Sequence, residues 1–313
     1  MSVEQWATLS DQAINGAAVV LALAWIAHLV EYAASRKVAY VAAPVPVGAP
    51  AGSPSGEVPE PERRASMFGR IGVALTVLGV AVLGLGVLAR GTAAQRVPWG
   101  NMYEFATTGI FVAMVIYLVL VRVQGTAWLG PVVTGFAVTV LGLSTLVHVP
   151  VGPLVPALDS PWLVLHVVAA AIAGGAFVVG AGASAFFLVK SRAERRTPIE
   201  QRHGYLWRLP SADVMDRVAY KVHAFAFPIW TFAALIAGPI WAYYAWGRFW
   251  GWDPKEVWAF ITFAVYAGYL HARATAGWRG KGAAIIALVG FLTFLFNFVG
   301  INLFGSGLHA YAF

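Results

Sequence analysis

Residues 71–89 read IGVALTVLGVAVLGLGVLA, an unbroken apolar run in which Thr76 is the one polar side chain. A helix that crosses a bilayer needs about 20 such residues. Working outward, similar runs occupy 14–34, 103–121, 131–148, 162–189, 223–245, 257–272 and 283–303. None shows the strict alternation of a barrel strand, and helices satisfy every backbone polar group within the segment. The shortest run, 257–272, is brief for a span, but alternation of the flanks across the bilayer requires it. Of the 313 residues, 59% are hydrophobic and only 11% charged. A soluble domain carries about a quarter charged residues, so this chain could not cover a water-facing surface. The expected fold is all-α: a polytopic transmembrane helical bundle of about eight spans forming a single membrane domain, 1–313.

The net charge of +7 does not point to nucleic acid, because the bases sit in short tracts between apolar runs. Seventeen of the 21 Lys and Arg fall in alternate loops, around 36–70, at Arg122, across 190–221 and at 273–281. The other loops keep only Arg90, Arg96, Arg248 and Lys255. Cytoplasmic loops carry the excess of bases, so 90–102, 149–161, 246–256 and both termini are expected outside. The opening MSVEQWATLSDQ has Glu4 and Asp11 and no base, unlike a signal peptide, so the first run is expected to be a retained span. The Pro/Ala-rich stretch 41–66, which begins VAAPVPVGAPAGSPSGEVPEPE, reads as a cytoplasmic linker. Residues 190–222 read as a charged inner loop with short helices near anionic headgroups. With no cysteine, the chain holds no disulfide, thiolate ligand or CxxC pair, so any thiol chemistry belongs to a partner or substrate.

Chemistry concentrates in the outward-facing segment 246–260, WGRFWGWDPKEVWAF. An interfacial aromatic belt explains one or two Trp per helix end. It does not explain Trp246, Trp250, Trp252 and Trp258 within thirteen residues, interleaved with Gly247, Gly251 and Asp253-Pro254. Asp253 suits the N-cap and Pro254 the first turn of the next helix. The expected result is an aromatic shelf beside a helix N-terminus, suited to a large flat apolar ligand that bears carboxylates. His166, a turn into the fifth helix, and His309, past the eighth, are expected on the same side. Singly each is an ordinary buried histidine; together they match the bis-imidazole pair used for haem iron. His271 lies near the cytoplasmic end of the seventh helix. His223 at the start of the sixth and His28 in the first fit helix-end hydrogen bonding at least as well as function. His148 and His203 carry no expectation. Asn101, Tyr103 and Glu104 read as a capped helix entry or as support for the site. P-loop, HExxH, Rossmann and Ser-His-Asp patterns are absent from the sequence.

WGRFWGWDPKEVWAF resembles the WWD motif of haem-handling proteins. Together with PALDSPWLVLHV, VPWGNMYEF, YLHAR and FNFVGINLFGSGLHAYAF, it is similar to the system II cytochrome c biogenesis family of CcsA type, also called ResC or CcsB type. The resemblance implies a subunit of a cytochrome c haem lyase that presents haem b on the outer face for thioether attachment to the CxxCH of apocytochromes c. It implies His166 and His309 as outer haem-iron ligands and His271 as an inner one, whose second ligand comes from a ResB/Ccs1-type membrane subunit. Trp246, Trp250, Trp252, Trp258 and Asp253 would form the haem-binding motif. A thiol-reducing protein is a further implied partner, and a bacterial plasma membrane or a thylakoid the implied site. Asp159 and Phe249 depart from the family pattern without touching a proposed ligand. The rival readings are a system I-type WWD protein that loads haem onto a carrier, and a transporter that handles no haem.

Overall fold

The computed structural model describes residues 1–38, 59–275, 277–305 and 307–309, and the first part of the predicted linker, 41–58, lies outside them. The helices are α1 (Val3–Ala34), α2 (Glu60–Ala94), α3 (Met102–Gln124), α4 (Gly130–Ser144), α5 (Pro161–Arg196), α6 (Tyr205–Arg208), α7 (Ala212–Phe232), α8 (Gly238–Trp246), α9 (Pro254–Thr275), α10 (Lys281–Leu295) and α11 (Ile301–Phe304). No strand occurs among the described residues, so the molecule is all-α as expected. Among the described residues, seven stretches are long and apolar enough to cross a membrane: Val3–Ala34, Glu60–Ala94, Met102–Gln124, Thr126–Val147, Pro161–Arg196, Ala212–Trp246 and Lys281–Phe304. The remaining predicted span, 257–272, seventh in chain order, lies within α9. That helix has 22 residues, but Tyr266, Tyr269, His271 and Arg273 make it less apolar than the others. It packs against α10 and α7.

Two predicted loops are shorter than expected. Helix α2 begins at Glu60, inside the predicted linker, because Pro61 suits the first turn and Glu60 and Glu62 complement the helix N-terminus. Helix α5 continues to Arg196 and α7 starts at Ala212, so the charged loop after α5 reduces to 197–211, with α6 and a short 3₁₀ turn inside it. His223 therefore lies about three turns into α7 and does not start the helix.

Helix α5 runs through the middle, against α3, α7 and α10. Lipid tails are as apolar as leucine, so helices associate in a bilayer through close packing, which small residues allow. The GGAFVVGAGASAF stretch of α5 supplies them: a Cβ on Gly175 would lie 2.7 Å from the Ala113 Cα of α3. The fully buried His223 ring sits among Phe177, Tyr266 and Tyr269, over Gly180, where a Cβ would come within 2.6 Å of the ring. His28 is buried between Gly72 of α2 and Gly130 of α4, with its Nδ1 3.4 Å from Glu31 Oε2.

Loops with similar charge character gather at the same end of the bundle. At one end Glu104 is completely buried, and it accepts hydrogen bonds from Arg90 Nε at 3.0 Å, Arg96 Nη1 at 2.8 Å and the Gly100 N–H at 2.6 Å. The same arginines reach the Val149 and Gly152 carbonyls, which ties 90–104 to the segment after α4. At the other end Arg208 donates to Ser35 Oγ at 2.8 Å, the Gly204 N–H donates to the Val38 carbonyl, and Arg273 donates twice to Asp216. The sparse bases and the basic tracts thus segregate to opposite ends, as the loop counts imply.

Candidate functional site

Helix α8 ends at Gly247, which takes the left-handed conformation (φ 73°) that glycine adopts without steric cost. The chain then turns through Arg248–Asp253, with Trp252 also at positive φ (58°), an uncommon conformation for a residue with a side chain. Glu256 in the first turn of α9 reaches back, and its Oε2 accepts from the Gly251 and Asp253 N–H groups at 2.8 and 3.0 Å. Asp253 binds three groups. Its Oδ1 accepts from the Lys255 N–H at 3.1 Å and faces His309 Nδ1 at 2.9 Å, and its Oδ2 accepts from the Leu308 N–H at 2.8 Å. Burial alone would raise the carboxyl, but the bonds from His309, Leu308 and Lys255 hold it at about 2. Asp253 therefore ties the chain after α11 to the tryptophan loop, and its carboxylate occupies the helix N-terminus that the sequence offered to a ligand.

The loop roofs a cavity of about 750 Å³, walled by α3, α4, α5 and α8 and by the chain between α10 and α11. Of the four motif tryptophans, Trp246 and Trp250 line it. Trp252 instead points outward, 67% exposed, its ring edge against Trp250, and Trp258 packs on Phe296. Trp99 and Trp241 also line the cavity, alongside Trp230 and several phenylalanines. Both lay outside the sequence-derived set. Trp241 is masked by the apolar run that contains it, although its place five residues before Trp246 was the available signal.

His166 and His309 both line this cavity and both touch Trp241. The His166 ring stacks on it at 5.9 Å and 15°, and the His309 ring lies 5.7 Å from it and 4.9 Å from Trp246. A single π-helical turn, Ala233–Ala237, joins α7 to α8. Such turns recur at functional sites. Here the Ala233 carbonyl accepts from His166 Nδ1 at 2.9 Å. An oxygen acceptor at Nδ1 in each ring places the proton there and the lone pair on Nε2, the arrangement of a metal-binding histidine held by an outer partner. Burial holds His309 below the ordinary histidine range even beside Asp253, which favours the neutral ring. A second π-turn, Phe296–Gly300, brings Asn297, Phe298 and Val299 to the wall.

His271 is not part of this arrangement. It lies exposed near the far end of α9, about 27 Å along the helix from Asp253 at ~1.5 Å per residue. Asn101 caps α3, accepting from the Glu104 N–H at 3.0 Å, and Tyr103 is buried over Arg90 and beside His148. His148 lies 3.3 Å from Asp11 at the same end of the bundle, and His203 sits in the loop between α5 and α6.

The sequence model of the Cytochrome C assembly protein family matches residues 99–309. Cytochrome c biogenesis protein CcsA of Synechococcus sp. (strain JA-2-3B'a(2-13)) is 33% identical over 307 residues, covering 78% of this chain and 84% of the relative. That of Gloeothece citriformis is 33% identical over 293 residues, covering 78% and 87%. That of Chlamydomonas reinhardtii is 42% identical over 161 residues, 51% of this chain but only 43% of the relative. Among solved structures, the Cytochrome c Heme Lyase CcmF shares the fold, with a TM-score of 0.62 over 97% of this chain at 17% identity. The chain spans half the length of that structure.

Proposed function

Because the chain belongs to the Cytochrome C assembly protein family, as a multi-pass membrane protein of cytochrome c biogenesis similar to CcsA, we propose that it presents haem for attachment to apocytochromes c. The observation that carries this reading is the shared cavity of His166 and His309. Two imidazoles, each held at Nδ1 by an oxygen atom, open on one aromatic-walled space. The residues present fit haem b as substrate: two nitrogen donors for iron, flat indole walls for the macrocycle, and few polar groups elsewhere. Trp246 and Trp250 act as walls, Asp253 holds His309 in register, and Trp252 and Trp258 support the loop from outside the cavity.

The site lies on the extracytoplasmic face of a bacterial plasma membrane or thylakoid, since the loops that form it carry few bases. There a CxxCH segment of the apocytochrome meets the haem edge. Each thiol sulfur bonds to one carbon of a vinyl group and its hydrogen goes to the other, so two additions form two thioethers with no leaving group and no net oxidation. The chain contributes proximity and orientation, which in well-aligned reactions lower a barrier by roughly 7–11 kcal/mol. A thiol-reducing protein keeps the CxxCH as a dithiol. His271, exposed at the opposite end of α9, is one ligand of an inner haem site completed by a ResB/Ccs1-type subunit.

Absorption spectroscopy of the chain purified with its membrane partner tests the reading. A Soret band is expected, with the reduced α-band of a six-coordinate bis-imidazole haem. A protein that purifies folded and takes up no haem, on isolation or after haem addition, contradicts it and leaves the transporter reading.

A further inference from the structure

Lys255 stands in the first turn of α9, where the helix dipole already disfavours a cation. Its side chain lines the cavity, as the one Lys or Arg among the lining residues. Its Nζ makes no hydrogen bond or ion pair among the described residues, whereas its backbone N–H serves Asp253. The two nearby carboxylates are committed elsewhere. Asp253 holds His309, Leu308 and the Lys255 N–H, and Glu256 Oε2 takes two loop amides while its Oε1 lies 3.6 Å from Arg248 Nη1. An ammonium drawn from water at the cavity wall, favoured only by an Asp253 carboxylate that is already engaged, is costly unless a ligand supplies a further counter-charge.

We propose that Lys255 is the anion-binding residue of the cavity and pairs with a carboxylate of the bound ligand. Resting on the haem reading above, this assigns Lys255 to a haem propionate. It orients the macrocycle, because an anchored propionate edge turns the opposite, vinyl-bearing edge away from Lys255. The lysine is a binding and orienting residue; it exchanges no proton with the reacting carbons. The same cationic chemistry would accept a phospholipid phosphate, so the test must separate the two.

Haem and haem dimethyl ester, in which both propionates are methylated, are titrated into the full chain in nanodiscs and followed by the Soret band. Wild type is expected to bind haem about tenfold or more tightly than the ester, the range for a hydrogen bond to a charged group. In Lys255→Met the haem affinity falls to that of the ester while ester binding is unchanged, and Lys255→Arg restores the preference. A Lys255→Met protein that still prefers haem overturns the proposal. So does native mass spectrometry in which Lys255→Met loses selective retention of phosphatidylglycerol while keeping its preference for haem, since the anion is then a lipid. Absence of any Soret band in wild type sinks the haem reading itself, an outcome distinct from bound haem without propionate preference.

Discussion

Replacement of His309 by glycine is expected to lower thioether formation by about 100-fold or more and to be partly reversed by millimolar imidazole. The ring is one of two proposed iron ligands, and it sits where Asp253, Trp241 and Trp246 hold it on three sides. Loss of a partner that only orients a ligating histidine typically costs 10–100-fold in metal affinity, so loss of the ligand costs at least that. Glycine leaves a slot the size of an imidazole, which free imidazole can fill. Attachment of haem to a CxxCH peptide by the reconstituted protein gives the readout. Activity that survives the substitution, or a loss that imidazole does not touch, would assign the ring a packing role only.

Glu104 carries the largest expected effect on stability. It is completely buried and holds two arginines and an amide that anchor the loop bearing Trp99. Glu104→Ala leaves Arg90, itself 1% exposed, with Asp11, 3.7 Å away and partly exposed, as its one remaining acidic partner among the described residues. Removing one member of a buried ion pair costs about 3–5 kcal/mol. The expected outcome is a sharply lowered melting temperature and yield in detergent, with Glu104→Gln intermediate because an amide oxygen still accepts. Since the same loop places Trp99 against Trp241, Leu158 and Leu163, residual folded protein should also bind haem less tightly. A Glu104→Ala protein as stable as wild type would show that the arginines find other partners.

The all-α membrane class was legible because it rests on composition, which no packing detail can overturn. The α9 segment was harder. Its length suits a span, but Tyr266, Tyr269 and Arg273 face α7 and the bundle, which hydropathy along the chain does not reveal. The tryptophan loop and the meeting of His166 with His309 were anticipated from motif and side. What brings them together was not. Asp253 binds a residue 56 positions away, and the Ala233 carbonyl is presented by a π-turn whose local cue, the Gly238-Pro239 pair after it, does not say which side chain the carbonyl meets. Trp99 escaped because it joins the wall through tertiary packing, and Trp241 because its apolar run hides it despite its closeness in sequence to Trp246. Trp252 and Trp258 stand outside the cavity lining, as spacing alone does not say which indoles of a turn face inward.

Electron paramagnetic resonance of the ferric haem complex of the purified chain tests most directly whether two imidazoles clamp one iron. A low-spin bis-histidine spectrum is predicted for wild type, passing to high spin in His166→Gly and in His309→Gly, and returning to low spin when imidazole is added. A low-spin spectrum that persists with both histidines replaced, before any imidazole is added, would contradict the account.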